Sequence, residues 1–176
     1  MLPLTAAQIL WINLLTDGLP ALSLTLDRTP GVMQQKPRPT NSPLLDQPSV
    51  RFVVGVGSMK ALVALALLGA LPTFGYSLEI TRAAAFHFMA IGQLFLTYPS
   101  RHTWIRPLTN RYLHAAVVGG VAIQVAAASV PFVSNLLGAA LPVELWAVVL
   151  VAALGSWGLA EVISRGVWRQ MAPSGA

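Results

Sequence analysis

The sequence predicts an all-α, polytopic membrane helix bundle of five transmembrane helices, the first of them broken at Gly18–Pro20. Three observations carry this prediction. Hydrophobic residues make up 55% of the chain and charged residues only 10%, whereas soluble domains carry about 25% charged residues. Five apolar segments approach the roughly 20 residues that a helix needs to cross a bilayer. Basic residues gather in alternate connections between those segments, the pattern that the positive-inside rule gives a multi-pass chain. The whole chain, 1–176, reads as a single membrane domain.

The first segment, about 6–26, is apolar on both sides of a polar core. Asn13, Thr16, Asp17 and Pro20 stand at i, i+3, i+4 and i+7, so a helix places them on one face. Pro20 has no N–H, so the Thr16 carbonyl loses its helical partner. An amide, a hydroxyl, a carboxylate and a freed carbonyl thus meet at membrane depth. Oxygen ligands of those kinds suit a hard cation such as Ca²⁺. An ionisable side chain there costs about 2.5–3.5 kcal/mol on insertion scales, which makes Asp17 a functional candidate. Two plainer readings stand beside this one: Asp-Gly as turn chemistry with a helix cap outside the membrane, or a polar contact between helices without an ion.

Residues 27–60 follow as a basic cytoplasmic loop and interfacial segment, rich in proline at Pro30, Pro37, Pro39, Pro43 and Pro48. Such a stretch is an extended connector, a docking surface or a linker resting on anionic lipid. The remaining spans are expected at about 61–78, 83–98, 113–132 and 145–162. Lys60, at the edge of the second, is expected to snorkel to the interface. His87 and Gln93 stand out in the third, with Gln93 a neutral oxygen donor inside the run and His87 assigned a structural role. In the fourth, Gln124 reads as an interhelical hydrogen bond, and Gly119-Gly120 suits close helix packing. In the fifth, Glu161 and Arg165 form an i, i+4 pair at the membrane boundary.

Orientation follows from the loops. Arg28, Lys36, Arg38 and Arg51 lie in the first connection, Arg101, Arg106 and Arg111 in the third, and Arg165 and Arg169 in the tail. Arg82 alone opposes the pattern. The N-terminus is therefore expected outside and the C-terminus in the cytoplasm. The expected location is a bacterial-type plasma membrane. Basic residues at segment ends, without aromatic interleaving, exclude a nucleic-acid partner. Cys is absent, which removes thiolate metal sites. Met1 leads into the first span with no basic n-region, so no cleavable signal is expected. No internal repeat relates the spans, which weakens a secondary-carrier reading.

Trp11-Ile12-Asn13 followed by Leu14-Leu15-Thr16-Asp17-Gly18-Leu19-Pro20-Ala21 resembles the sixth transmembrane helix of calcium-type (P2-type) P-type ATPases. Asp27, Met33 and Pro37-Arg38-Pro39 resemble the cytoplasmic loop after it. Arg82-Ala83-Ala84-Ala85-Phe86 through Gln93-Leu94-Phe95 resembles the eighth helix. The likeness covers most of the chain as helices six to ten, resting on position and hydropathy alone across the last two spans.

The resemblance implies that Asn13, Thr16 and Asp17 are cation ligands. Gln93 falls where the two-site reticulum pump has an acidic ligand; an amide there removes a negative charge and fits a one-ion site, as in plasma-membrane-type calcium pumps. Ca²⁺ is the implied transported ion, with Mn²⁺ and then Na⁺ behind it, and no covalently bound cofactor is expected. The family's phosphorylated Asp, its nucleotide-binding and actuator domains and helices one to five are not in these residues, nor is a Gly-rich phosphate loop. The chain by itself is therefore not expected to hydrolyse ATP. Its expected partners are the lipid bilayer and the remaining pump domains, or a second chain that carries them. A non-enzymatic assembly or regulatory module derived from such a pump, or a small secondary cation carrier, are the alternatives.

Overall fold

The computed structural model describes residues 3–26, 45–101 and 110–168, with residues 17 and 168 described for their backbone alone. The Pro-rich run from Pro30 to Pro43 lies outside the described residues. All regular structure among those described is helical. Among the described residues, three helices are long and apolar enough to cross a membrane: Gln47–Thr73, Arg111–Ser129 and Val143–Val167.

The first segment forms α1 (Ala6–Ile12), a π-helical turn (Asn13–Asp17) and α2 (Gly18–Thr25). Thr5 starts it with a reciprocal cap, its hydroxyl accepting from the Gln8 N–H while the Gln8 amide oxygen accepts from the Thr5 N–H. The irregularity expected at Gly18–Pro20 sits one turn earlier. Gly18 stays right-handed helical at φ −67°, ψ −66°, and the chain adjusts at Asn13–Asp17 instead. Pro20 explains the position: its ring crowds the carbonyl of residue 16, and a wider turn upstream relieves the clash without ending the helix.

Helix α3 (Gln47–Thr73) begins well before Ala61. Asp46 caps it, accepting from the Ser49 N–H at 2.9 Å, and Pro48 sits in its first turn where no N–H is needed. What was expected as an interfacial segment before residue 61 is thus continuous helix from Gln47 onward. Lys60 falls at the midpoint of this helix and is corrected accordingly: it is buried, 6% exposed, and turns inward rather than to the interface. Arg51 lies about 13 Å away along the axis, so the two cations occupy different depths.

Helix α4 (Leu78–Leu96) is the hub. Ala83 to Phe88 and Ala90 to Gly92 are all buried, with Phe86, Phe88 and Ile91 fully enclosed. On one side it meets α3 and α7 (Val143–Trp168) through Ala84, Phe88 and Ile91 against Leu67, Leu71, Leu145, Val149 and Ala153. On another it meets α5 (Arg111–Ser129), where Leu94 packs with Leu113 and Val117. A Cβ on Gly120 would lie 2.8 and 2.9 Å from the Leu94 methyl groups, so any larger residue would force the fully buried Leu94 side chain to shift. Pro131 breaks the chain after α5 and opens the short α6 (Pro131–Leu137).

A chain of buried polar contacts ties these elements together at one end of the bundle. Gly138 caps α6 with φ +57°, a left-handed turn suited to glycine. That turn presents the Leu137 carbonyl to the Gln8 amide at 2.9 Å and the Ala139 carbonyl to His87 Nε2 at 2.8 Å. Gln124 completes the set, accepting from Trp11 Nε1 and donating to His87 Nδ1, both at 2.9 Å. With Nδ1 an acceptor, the His87 proton sits on Nε2 and is donated to Ala139. His87 and Gln124 are thus both structural. At the opposite end, Asn110 caps α5 through the Leu113 N–H and donates to the Ser23 carbonyl of α2. Glu161 and Arg165 pair on α7 at 3.5 Å.

Two predictions follow from this packing. Gly120→Ala should destabilise the bundle by about 1–3 kcal/mol through overpacking against Leu94, while Gly119→Ala, where nothing lies within 4 Å, should be neutral or stabilise by up to about 1 kcal/mol. Gln124→Leu strips Trp11 of its acceptor and His87 of its donor, and should cost about 1–3 kcal/mol. Unfolding in mixed micelles, followed by tryptophan fluorescence, measures both.

Candidate cation site

The candidate residues start from the π-turn. A turn of this kind is paired i to i+5 and widens the helix, and Pro20, with no N–H, removes the regular partner of the Thr16 carbonyl. Thr16 is buried at 3% exposure, and its hydroxyl donates to the Ile12 carbonyl at 2.6 Å, four residues back. Asn13 starts the turn and is exposed, between Leu10 and Leu14, which are 70% and 73% exposed. Asp17 closes the turn; its side chain lies outside what is described.

Across from this segment stands α4. Thr16 and Gln93 line one cavity of about 220 Å³ together with Pro20, Leu24, Thr97 and Ser100. Gln93, Thr97 and Ser100 follow at i, i+4 and i+7, so the cavity runs along one face of α4 and the turns after it. The Ser100 hydroxyl donates to the Leu96 carbonyl. Two of the four candidate residues are thereby brought to a common space from different helices. Asn13 does not line it.

Lys60 is the residue that sequence reasoning missed. Its Nζ donates to Gln93 Oε1 at 2.8 Å and lies 3.4 Å from the Met89 carbonyl. Its stem passes Gly92, with Cε 3.7 Å from where a Cβ on that residue would stand. The signal was present in Asp46-Gln47-Pro48, a helix start that places Lys60 inside a membrane-length helix. Among the described residues no group of three His, Cys, Asp or Glu side chains could hold a metal ion. Any cation held here therefore depends on neutral oxygens and on carboxylates beyond that set.

Residues 1–165 match the family "Cation transporting ATPase, C-terminus". The chain is 32% identical over 184 aligned positions to calcium-transporting ATPase 1 of Bacillus cereus, an alignment that covers 92% of this chain and 21% of that protein. It is 31% identical to the calcium-transporting ATPase of Bacillus subtilis, over 70% of this chain and 14% of the relative. A shorter stretch, 24% of the chain, is 52% identical to calcium-transporting ATPase 1 of Schizosaccharomyces pombe. The chain thus spans about a fifth of the length of the Bacillus cereus relative. Helical architecture, membrane-length apolar helices and the match along nearly the whole chain agree: this chain belongs to the C-terminal family of cation-transporting ATPases.

Proposed function

We propose that this chain is the transmembrane cation-transport part of an ATP-driven calcium pump and contributes a portion of its ion site. The observation that carries the reading is the pairing of a π-turn at Asn13–Asp17 with the Thr16–Gln93 cavity, in a chain whose relatives are named as calcium-transporting ATPases. Asn13 and Thr16 supply neutral oxygens, Asp17 supplies the charge, and the Thr16 carbonyl, whose regular partner is missing at Pro20, supplies a further oxygen. That donor set favours Ca²⁺, with Mn²⁺ next because it takes the same oxygen ligands, and Na⁺ last.

The fold supports five spans in this reading. The run α1–π-turn–α2, Ala6 to Thr25, is about 30 Å long, and α4 is about 28 Å. Each matches the roughly 30 Å of hydrocarbon to be crossed. α4 carries His87 and Gln93 in its middle because it is wrapped there by other helices and need not be apolar toward lipid, while Glu79 is exposed in its first turn. With five crossings, Arg51, Arg101, Arg111 and Arg165 share the cytoplasmic end, and Glu79 and Glu144 the outer one.

The site is open on one side. Asn13 is exposed on a face with Leu10 and Leu14, and an amide left in lipid has no partner to satisfy it. The remaining ligands come from pump helices beyond these residues, as does the ATP-hydrolysing machinery. Conformational change there alters the ligand geometry around Asn13–Asp17 and so releases the ion.

The test is a Ca²⁺ titration of thermal stability on the chain purified together with the ATP-hydrolysing part of the pump. Free Ca²⁺ at about 100 times Kd should stabilise the assembly by about 2.7 kcal/mol. Asp17→Asn should abolish that stabilisation while leaving the ion-free midpoint intact. Unchanged stabilisation in the variant would overturn the site and favour a membrane module without transport chemistry.

A further inference from the structure

A second cavity, of about 470 Å³, lies between the starts of α1 and α4 and the α6 turn, and shares no residue with the Thr16–Gln93 space. Its floor is fixed by the Gln8 amide, 2% exposed, which accepts from the Thr5 N–H and donates to the Leu137 carbonyl. Glu79 and the half-buried Arg82 both line it from α4. At i, i+3 they are near enough to pair, yet neither side chain makes an ion pair or hydrogen bond among the described residues. Arg51, Arg111 and Arg165 stand at the other end of the bundle, where Phe52 and Leu96 pack with Ala160. Arg82 is therefore the basic residue that the distribution of positive charge leaves unexplained.

The lining decides what fits. A metal ion would find one carboxylate with a guanidinium beside it, and a simple anion would suit Arg82 but meet Glu79. A molecule that carries both charges satisfies both residues: a phosphate takes the forked donors of Arg82, and an ammonium donates to Glu79. Leu136 lines the same space at 66% exposure, and Phe132, one turn earlier on α6, is 76% exposed. An apolar wall thus leads from the two charges to the surface that lipid covers. Among the described residues no Phe, Tyr or Trp lines the cavity, whereas a quaternary ammonium is held by aromatic faces; the lining suits a primary ammonium. We propose that this cavity binds the head group of an ethanolamine phospholipid, with its phosphate at Arg82 and its ammonium at Glu79. Asn135, exposed on α6 in the same lining, offers its amide to the phosphate oxygens. The inference goes beyond the cation-site reading and uses none of its residues, so either can fail without the other.

Native mass spectrometry of the full chain released from detergent micelles tests this by showing which lipid it keeps. Dioleoyl phosphatidylethanolamine, phosphatidylcholine and phosphatidylglycerol are offered in equal amounts, and thermal unfolding checks the fold of each variant. The unsubstituted chain should keep phosphatidylethanolamine about tenfold in preference to either of the others. Glu79→Gln should turn that preference toward phosphatidylglycerol, whose phosphate still suits Arg82. Arg82→Gln should abolish it, while Arg111→Gln, at the other end of the bundle, should leave it unchanged. Equal retention of the three lipids by the unsubstituted chain, or a preference that survives in Arg82→Gln, would overturn the proposal. Should Arg82→Gln not fold, an unaltered preference in Glu79→Gln overturns it equally. Phosphoethanolamine without acyl chains, added at the same concentration, should not displace the lipid; displacement would make a soluble zwitterion the occupant and overturn the lipid assignment.

Discussion

Helix α4 is enclosed by other helices through its middle, where His87 and Gln93 find their partners in protein, while the buried Thr81 hydroxyl nearer its start has none among the described residues. That constraint organises the rest. His87 is met by Gln124 of α5 and the Ala139 carbonyl, and Gln93 is met by Lys60 of α3. Each of these partners comes from a different element, so satisfying α4 fixes the relative positions of α1, α3, α5 and the α6–α7 turn. Apolar packing alone would not do so, because lipid tails are as apolar as leucine and van der Waals fit is tolerant of small rotations. The Gly120–Leu94 contact adds the steric half of the same definition, setting how closely α5 approaches.

A second constraint sits in the backbone. Pro20 cannot donate and cannot tolerate a regular carbonyl at residue 16, yet the helix must continue because an ended helix in lipid leaves its last groups unpaired. A π-turn resolves the conflict by redistributing the strain over Asn13–Asp17. The same residues carry the oxygens that suit a cation. In the proposed cation site, the local irregularity and the loss of the Thr16 carbonyl's regular partner have one cause, a proline placed where its N–H is missing.

Much of this was legible in the sequence because hydrophobic run length and polar intrusions report directly on membrane helices. Thr16 and Gln93, chosen as oxygen donors within apolar runs, do share a cavity. Gln124 is an interhelical hydrogen bond and His87 a structural residue, as their surroundings suggested. Lys60 was misplaced because run length treats a lysine as a boundary, whereas a helix boundary is set by its cap; Asp46 and Pro48 mark the true start. The π-turn was displaced by one turn because the clash of a proline falls on the carbonyl four residues before it, not on its own position. Which helices neighbour one another was not legible at all, since no single-chain pattern encodes that Lys60 faces Gln93.

The π-turn presents polar groups in two directions. Thr16 is buried and lines a cavity with Gln93, while Asn13, three residues earlier, is exposed between Leu10 and Leu14 and does not line it. Gln93 Oε1 is already engaged by Lys60 Nζ at 2.8 Å, so the inner side of this segment is tied to α3 as well as to α4. An exposed amide on an apolar helix face is costly where water is absent, and a partner surface that covers Asn13 removes that cost. In the proposed pump, an ion held at Asn13–Asp17 therefore depends on helices outside these residues for its completion, and movement of that covering surface changes the coordination directly.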